Sequence, residues 1–101
     1  MKCGSNMNKL QFRFTLMLAV LILYIYSRGY TVQLGDAFAT EGHIEGSKHY
    51  DHMAADLNLF KDGVYLTETK DHEPFGKFWM LLGGTWGGRW DDGNHYSWGE
   101  D

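Results

Sequence analysis

LMLAVLILYIY, residues Leu16 to Tyr26, is the stretch on which the reading of the fold turns: eleven apolar or aromatic residues follow the basic Lys2, Lys9 and Arg13. A basic start before an apolar run imitates a secretory signal, and the run itself invites a membrane reading. As a helix rising about 1.5 Å per residue it covers roughly 16 Å, about half of the ~30 Å that a spanning helix must match. A cleavage site needs small residues after the run, where Tyr24, Tyr26, Ser27 and Arg28 stand instead. Cys3 precedes the run and does not fit a lipoprotein signal. The run is therefore expected to be the first packed helix of a domain, over residues 12–27, with residues 1–11 as a flexible N-terminus. A membrane anchor through residues 16–26 and a signal segment are the alternatives.

Outward from that helix, Arg28-Gly29 reads as a stop, and Tyr30, Val32 and Leu34 alternate with Thr31, Gln33 and Gly35 as in a half-buried strand. Gly35 to Lys48 is small, polar and punctuated by glycine, the composition of an irregular loop able to carry function. Ala55, Leu57 and Leu59 then alternate with Asp56, Asn58 and Phe60, so a second strand turns its aliphatic side to the core and Asp56 to the opposite face. Asp62-Gly63 marks a tight turn into Val64-Tyr65-Leu66. Thr69 to Leu82 carries the signals of a second helix: Thr69 or Asp71 as N-cap, Pro74 in the first turn and Gly83 past the end. Phe75, Phe78, Trp79 and Leu82 share one face of it, a core stripe. After the glycine-rich GGTWGG, His95 and Ser97 alternate with Tyr96 and Trp98 in a last strand with a polar side. The expected fold is α+β, one small domain over residues 1–101, with an antiparallel central sheet, helices packed on one side and a cleft.

A chain of 101 residues, 44% hydrophobic, suffices for one small core. Its net charge of −4, with both signs interspersed, supplies no concentrated positive field, so nucleic acid is not an expected partner. The single cysteine forms neither an intramolecular disulfide nor a multi-cysteine zinc site. Any metal site must be built from histidine and carboxylate.

Two clusters offer such a site: Ser47-x-His49 followed by Asp56 in the middle, and Asp92-x-x-His95 near the end. His49 at a loop end, Asp56 on the non-core face of one strand and His95 on the polar face of another can converge on one cleft. Two imidazoles and a carboxylate suit Zn²⁺ and leave a fourth position for water, as a catalytic site requires. Asp92, three residues before His95, is tethered close enough to act as the general acid-base group, with Asp91 as its immediate rival. Trp90, between Arg89 and Asp91, is the best candidate for a substrate contact, whereas Trp86 and Trp98 read as core. His43, His52 and His72 read as loop or surface histidines.

These motifs resemble the M15 family of zinc peptidases, which includes D-alanyl-D-alanine carboxypeptidases and phage L-alanyl-D-glutamate endopeptidases. SKHYDHMAAD supplies Ser47, His49 and Asp56; DDGNH supplies Asp92 and His95. The resemblance runs from about Leu16 to Trp98. It implies one zinc ion held by His49, Asp56 and His95, Asp92 as base, and Ser47 helping to position substrate. The late acid being Asp looks more like the phage endopeptidase branch. The implied substrate is a peptidoglycan stem peptide, cut by a monomer that stays in the cytoplasm until released to the cell wall. Family members commonly carry an arginine in the loop after the first central strand; here Gly35 to Ala39 has none, and Arg89 or Lys48 is the available replacement. That departure motivates a second reading, a zinc-dependent domain that binds cell-wall peptide with weak or no cleavage.

Overall fold

The structure, a computed structural model, describes residues 2–38 and 53–98. A long helix α1, Lys2–Ser27, leads into strand β1, Thr31–Phe38; after it come β2, Met53–Lys61, and β3, Val64–Leu66. A 3-10 turn at Thr69–His72 runs into helix α2, Glu73–Leu81. Strand β4, Thr85–Trp86, a second 3-10 turn at Gly87–Trp90 and strand β5, His95–Trp98, complete the described elements. α1 thus begins well before the residue 12 expected from the sequence, and residues 2–11 continue the helix.

α1 ends at Gly29, whose φ of 91° a side chain disfavours. There the Gly29 N–H reaches Tyr26 O and the Tyr30 N–H reaches Ile25 O, which satisfies carbonyls the helix end leaves open. The same pair of bonds recurs where Gly83 and Gly84 close α2. The start of α2 differs from the sequence reading. Its first turn is the 3-10 segment, capped by Glu68, whose backbone N–H donates to the Asp71 carboxylate at 3.1 Å. Thr69 is spent elsewhere: its hydroxyl accepts from the Gly93 N–H.

All strand pairs are antiparallel, in the order β1-β2-β5-β4. β2 is the axis of the sheet. β1 runs along one edge of it, while β5 and β3 share the other, β5 beside residues 53–56 and β3 beside residues 59–61. β1 continues through Gly35 to Phe38, where the sequence suggested a loop; its register shifts between Leu34 and Ala37, a bulge that resumes pairing with Ala54 and Ala55. Asp62 and Gly63 both take positive φ, as a two-residue hairpin turn requires.

Both helices cover one face of this sheet. Phe14, Met17, Leu21 and Ile25 of α1 and Phe75 and Trp79 of α2 pack on Ala55, Leu57, Leu59 and Tyr96. Aromatic rings fix the layers: Trp79 meets Phe14 and Tyr96 edge-on, and Tyr24 stacks on Phe78 with centroids 4.2 Å apart. The Trp79 indole N–H donates to Ser97 O, so even the polar tip of the largest core residue is satisfied. Gly76 is where Trp86 lies flat on α2; a Cβ there falls 2.0 Å from the indole. The apolar run of α1 is buried along one stripe only. Leu16 and Leu23 on its other side are 61% and 71% exposed. No helix among the described residues is long and apolar enough to cross a membrane.

Candidate functional site

The sheet face opposite the helices carries two of the sequence-predicted residues, Asp56 and His95, while Asp92, Arg89 and Trp90 lie on the turn and loop that lead into β5. Period-2 alternation turns Asp56 away from its buried neighbours Ala55 and Leu57, and the register sets it directly across from His95. His95 Nδ1 and Asp56 Oδ1 stand 3.3 Å apart, with the two side chains 27% and 37% exposed. This is long for a charge-assisted hydrogen bond, about 2.7–2.9 Å. It matches the roughly 3.3 Å between two donors bound at about 2.0–2.1 Å to one tetrahedral cation. A carboxylate oxygen and an imidazole nitrogen are suitable ligands for such an ion. Among the described residues no third histidine, cysteine or carboxylate joins them. His49, the third expected ligand, lies outside the described residues, as do Ser47, Lys48, His43 and His52.

The loop from Asp91 to Asn94, which carries Asp92, is pinned from several directions. Asp91 has a left-handed φ of 61°, which reverses the chain after the 3-10 turn. The Asp92 N–H donates to Gly87 O at 2.9 Å, and the Asp92 carbonyl accepts from the His95 N–H at 3.1 Å. Gly93 is held at both ends: its carbonyl accepts from the Trp86 indole at 2.7 Å and its N–H donates to the Thr69 hydroxyl at 3.2 Å. The Asn94 carbonyl accepts from the Leu57 N–H, tying the loop to β2. Asp92 itself is exposed. Trp90 and Arg89, on the preceding 3-10 turn, are also exposed, Trp90 by 56%.

Glycines clear the ground under the site. A Cβ at Gly87 falls 2.3 Å from the Asp92 carbonyl oxygen and 3.1 Å from His95 Cβ, so any side chain there displaces the loop or the histidine. Gly35 on β1 lies beside Asp56 in the same way, with a Cβ 3.2 Å from that of Asp56. Next to the site, where β5 leaves β2 and β3 has not yet joined it, a cavity of about 150 Å³ opens. Asn58, Tyr65, Glu68, His72, Asp91 and Asp92 are among the residues that line it.

His72 corrects the sequence reading. It is no surface histidine: it is 3% exposed, and its Nδ1 lies 2.8 Å from the hydroxyl of the fully buried Tyr96. Burial pushes the imidazole down to about 4, against an opposing pull from Asp71, and pushes the Tyr96 phenol above its ordinary range. The spacing of the two residues in the sequence gives no sign of this pair. Trp86 and Trp98 pack against the core as expected, but Trp86 also positions the loop that holds Asp92.

Comparison of the chain with protein-family models, with curated proteins and with solved structures gives no match.

Proposed function

We propose that this chain is a zinc peptidase that hydrolyses peptidoglycan stem peptides, at an L-Ala-D-Glu or D-Ala-D-Ala bond, in the manner of a phage-type lytic enzyme. The observation that carries this reading is the meeting of Asp56 and His95 across β2 and β5, their donor atoms 3.3 Å apart on the sheet face away from the core. Asp56, His95 and, by the family resemblance, His49 would hold the ion. When bound, zinc polarises the scissile carbonyl and lowers the pKa of the attacking water towards about 7.

The chain's own residues do the remaining work. Asp92 takes the proton of the water and delivers it to the leaving amine, a role that contributes about 10²- to 10⁴-fold. The bonds from Trp86 and Thr69 to Gly93 tie that carboxylate's loop to β4 and to the first 3-10 turn, which helps to orient it. Arg89 and Trp90, exposed on the adjoining turn, contact the peptide, and Ser47 assists its placement. The enzyme acts once released from the cytoplasm to the wall.

A second reading, a zinc-dependent domain that binds the stem peptide without cutting it, is favoured by the lack of an arginine from Gly35 to Ala39. Mass spectrometry of purified peptidoglycan treated with zinc-loaded protein separates the two. Peptides with a new N-terminal D-Glu identify the endopeptidase, and loss of a terminal D-Ala identifies the carboxypeptidase. Zinc-bound, folded protein that binds the wall and releases nothing selects the binding domain.

A further inference from the structure

The outward face of α1 has no role in the site described. Phe12, Leu16, Val20, Leu23 and Tyr26 are 71%, 61%, 37%, 71% and 48% exposed, and Ala19 between them is exposed as well. No charged residue lies between Arg13 and Arg28 to break this face. The exposures add up to roughly 500 Å² of apolar surface, at the upper end of what a soluble monomer shows as its largest patch.

The spacing on this face is ordered. Lys9, Phe12, Leu16, Ala19, Leu23 and Tyr26 follow one another at alternating intervals of three and four, the seam of a two-helix coiled coil. The stripe that packs on the sheet, Phe14, Met17, Leu21 and Ile25, lies on the other side of the helix, so among the described residues the seam keeps its exposure, with the Tyr26 hydroxyl engaged by the backbone of Val32. We infer that α1 pairs with α1 of a second copy of this chain, antiparallel, through that seam. This revises the expectation of a monomer and stands apart from the zinc site.

Both the occupant and the direction follow from the residues. Two such faces remove at most about 1,000 Å² in all, the lower bound for a specific interface, which points to a weak, concentration-dependent dimer. A parallel pair sets each seam residue against its own copy, and so Lys9 against Lys9. In the antiparallel pair the layers are unlike: Leu16 against Ala19, Phe12 against Leu23, and Lys9 over the ring of Tyr26. Leu16 then meets the smaller Ala19, Phe12 packs on Leu23, and the cation meets an aromatic face. One two-fold axis between the helices generates both halves, which closes the assembly at two.

Sedimentation equilibrium of the full chain, from low micromolar to a few hundred micromolar, tests this. The apparent mass is expected to rise from that of one chain to twice that and then level off. Leu23→Glu, at a position already facing solvent, is expected to hold the protein monomeric over the same range with an unchanged circular dichroism spectrum. In a Cys3→Ser background, chains carrying Leu16→Cys are expected to form disulfides with chains carrying Ala19→Cys. A monomer at every concentration overturns the pairing. So does a monomer that binds phosphatidylcholine vesicles and loses that binding with Leu23→Glu, because the face then serves lipid. Disulfides between two Leu16→Cys chains overturn the antiparallel direction.

Discussion

His95 and Tyr96 are neighbours on β5, yet they point to opposite faces of the sheet and join two unlike histidine pairs. On the core face Tyr96 and His72 stand 2.8 Å apart, both almost wholly buried. On the open face His95 and Asp56 stand 3.3 Å apart, both partly in solvent. The first pair is short and held neutral by burial; the second is longer and open to solvent, an imidazole nitrogen beside a carboxylate oxygen, both possible metal ligands. Burial and partner, rather than residue type, separate a histidine that holds the fold from one left at the open face of the sheet beside a carboxylate.

The largest effect expected on the open face comes from removing a donor. Asp56→Ala and His95→Ala are each expected to abolish zinc uptake and peptidoglycan cleavage, read by metal analysis and by product release. Their melting temperatures measured without metal should stay close to that of the parent, because neither side chain is in the core. If either variant keeps full zinc content, the open-face pair is not the centre. Asp92→Asn should come next. It is expected to leave zinc content intact and lower kcat by about 10²- to 10⁴-fold, the range of a lost general base.

On the core face the expected effect is on stability, and it follows pH. Unfolded, His72 takes up a proton near 6.5; folded, it does so only near 4. Between those values the unfolded chain holds the additional proton, so stability is fully present above about pH 6.5 and falls as pH drops towards 4. The full window is worth about 3 kcal/mol. Thermal melts from pH 7.5 to 4.5 should show this slope in the parent chain. His72→Gln, which keeps a hydrogen-bonding partner for Tyr96 and does not titrate, should flatten it. An equal slope in both chains would place the pH dependence on other groups.

Smaller effects belong to the loop that bridges the two faces. Trp86→Phe removes the indole bond to Gly93 and should cost about 1–3 kcal/mol, the penalty of leaving a buried carbonyl without its donor. It is also expected to lower kcat more than zinc affinity. Trp90→Ala, at an exposed position, should change stability by no more than about 0.5 kcal/mol and act, if at all, on KM.

What could be read ahead of the structure was what period and punctuation encode. Alternation at Ala55, Leu57 and Leu59 assigned Asp56 to the outer face, Asp62-Gly63 marked the hairpin, and the aromatic stripe of α2 read as core. The features that escaped depend on partners distant in sequence. β1 continues past Gly35 because Ala54 and Ala55 are there to pair with it, after a bulge that composition does not reveal. His72 is buried because Tyr96, 24 residues later, reaches it from the sheet. Thr69 looked like a helix cap but serves Gly93 across the site, and Glu68 starts the turn in its place. The run at Leu16 to Tyr26 read as a packed helix, and one stripe of it is. Its hydrophobicity alone could not tell that a second stripe would remain outside. Of the site, the outward sides of Asp56 and His95 were legible in the two strand patterns, whereas their register across β2 and β5 and the clearance that Gly87 gives Asp92 and His95 become visible only once the sheet and loop are folded.

The most direct test of the contrast between the two faces is zinc titration by calorimetry on the parent chain, Asp56→Ala and His72→Gln. The parent and His72→Gln are predicted to bind one zinc ion per chain with similar affinity, and Asp56→Ala to bind none. A parent chain that takes up no zinc, or a His72→Gln chain that loses it while Asp56→Ala keeps it, would contradict the assignment of the metal to the open face.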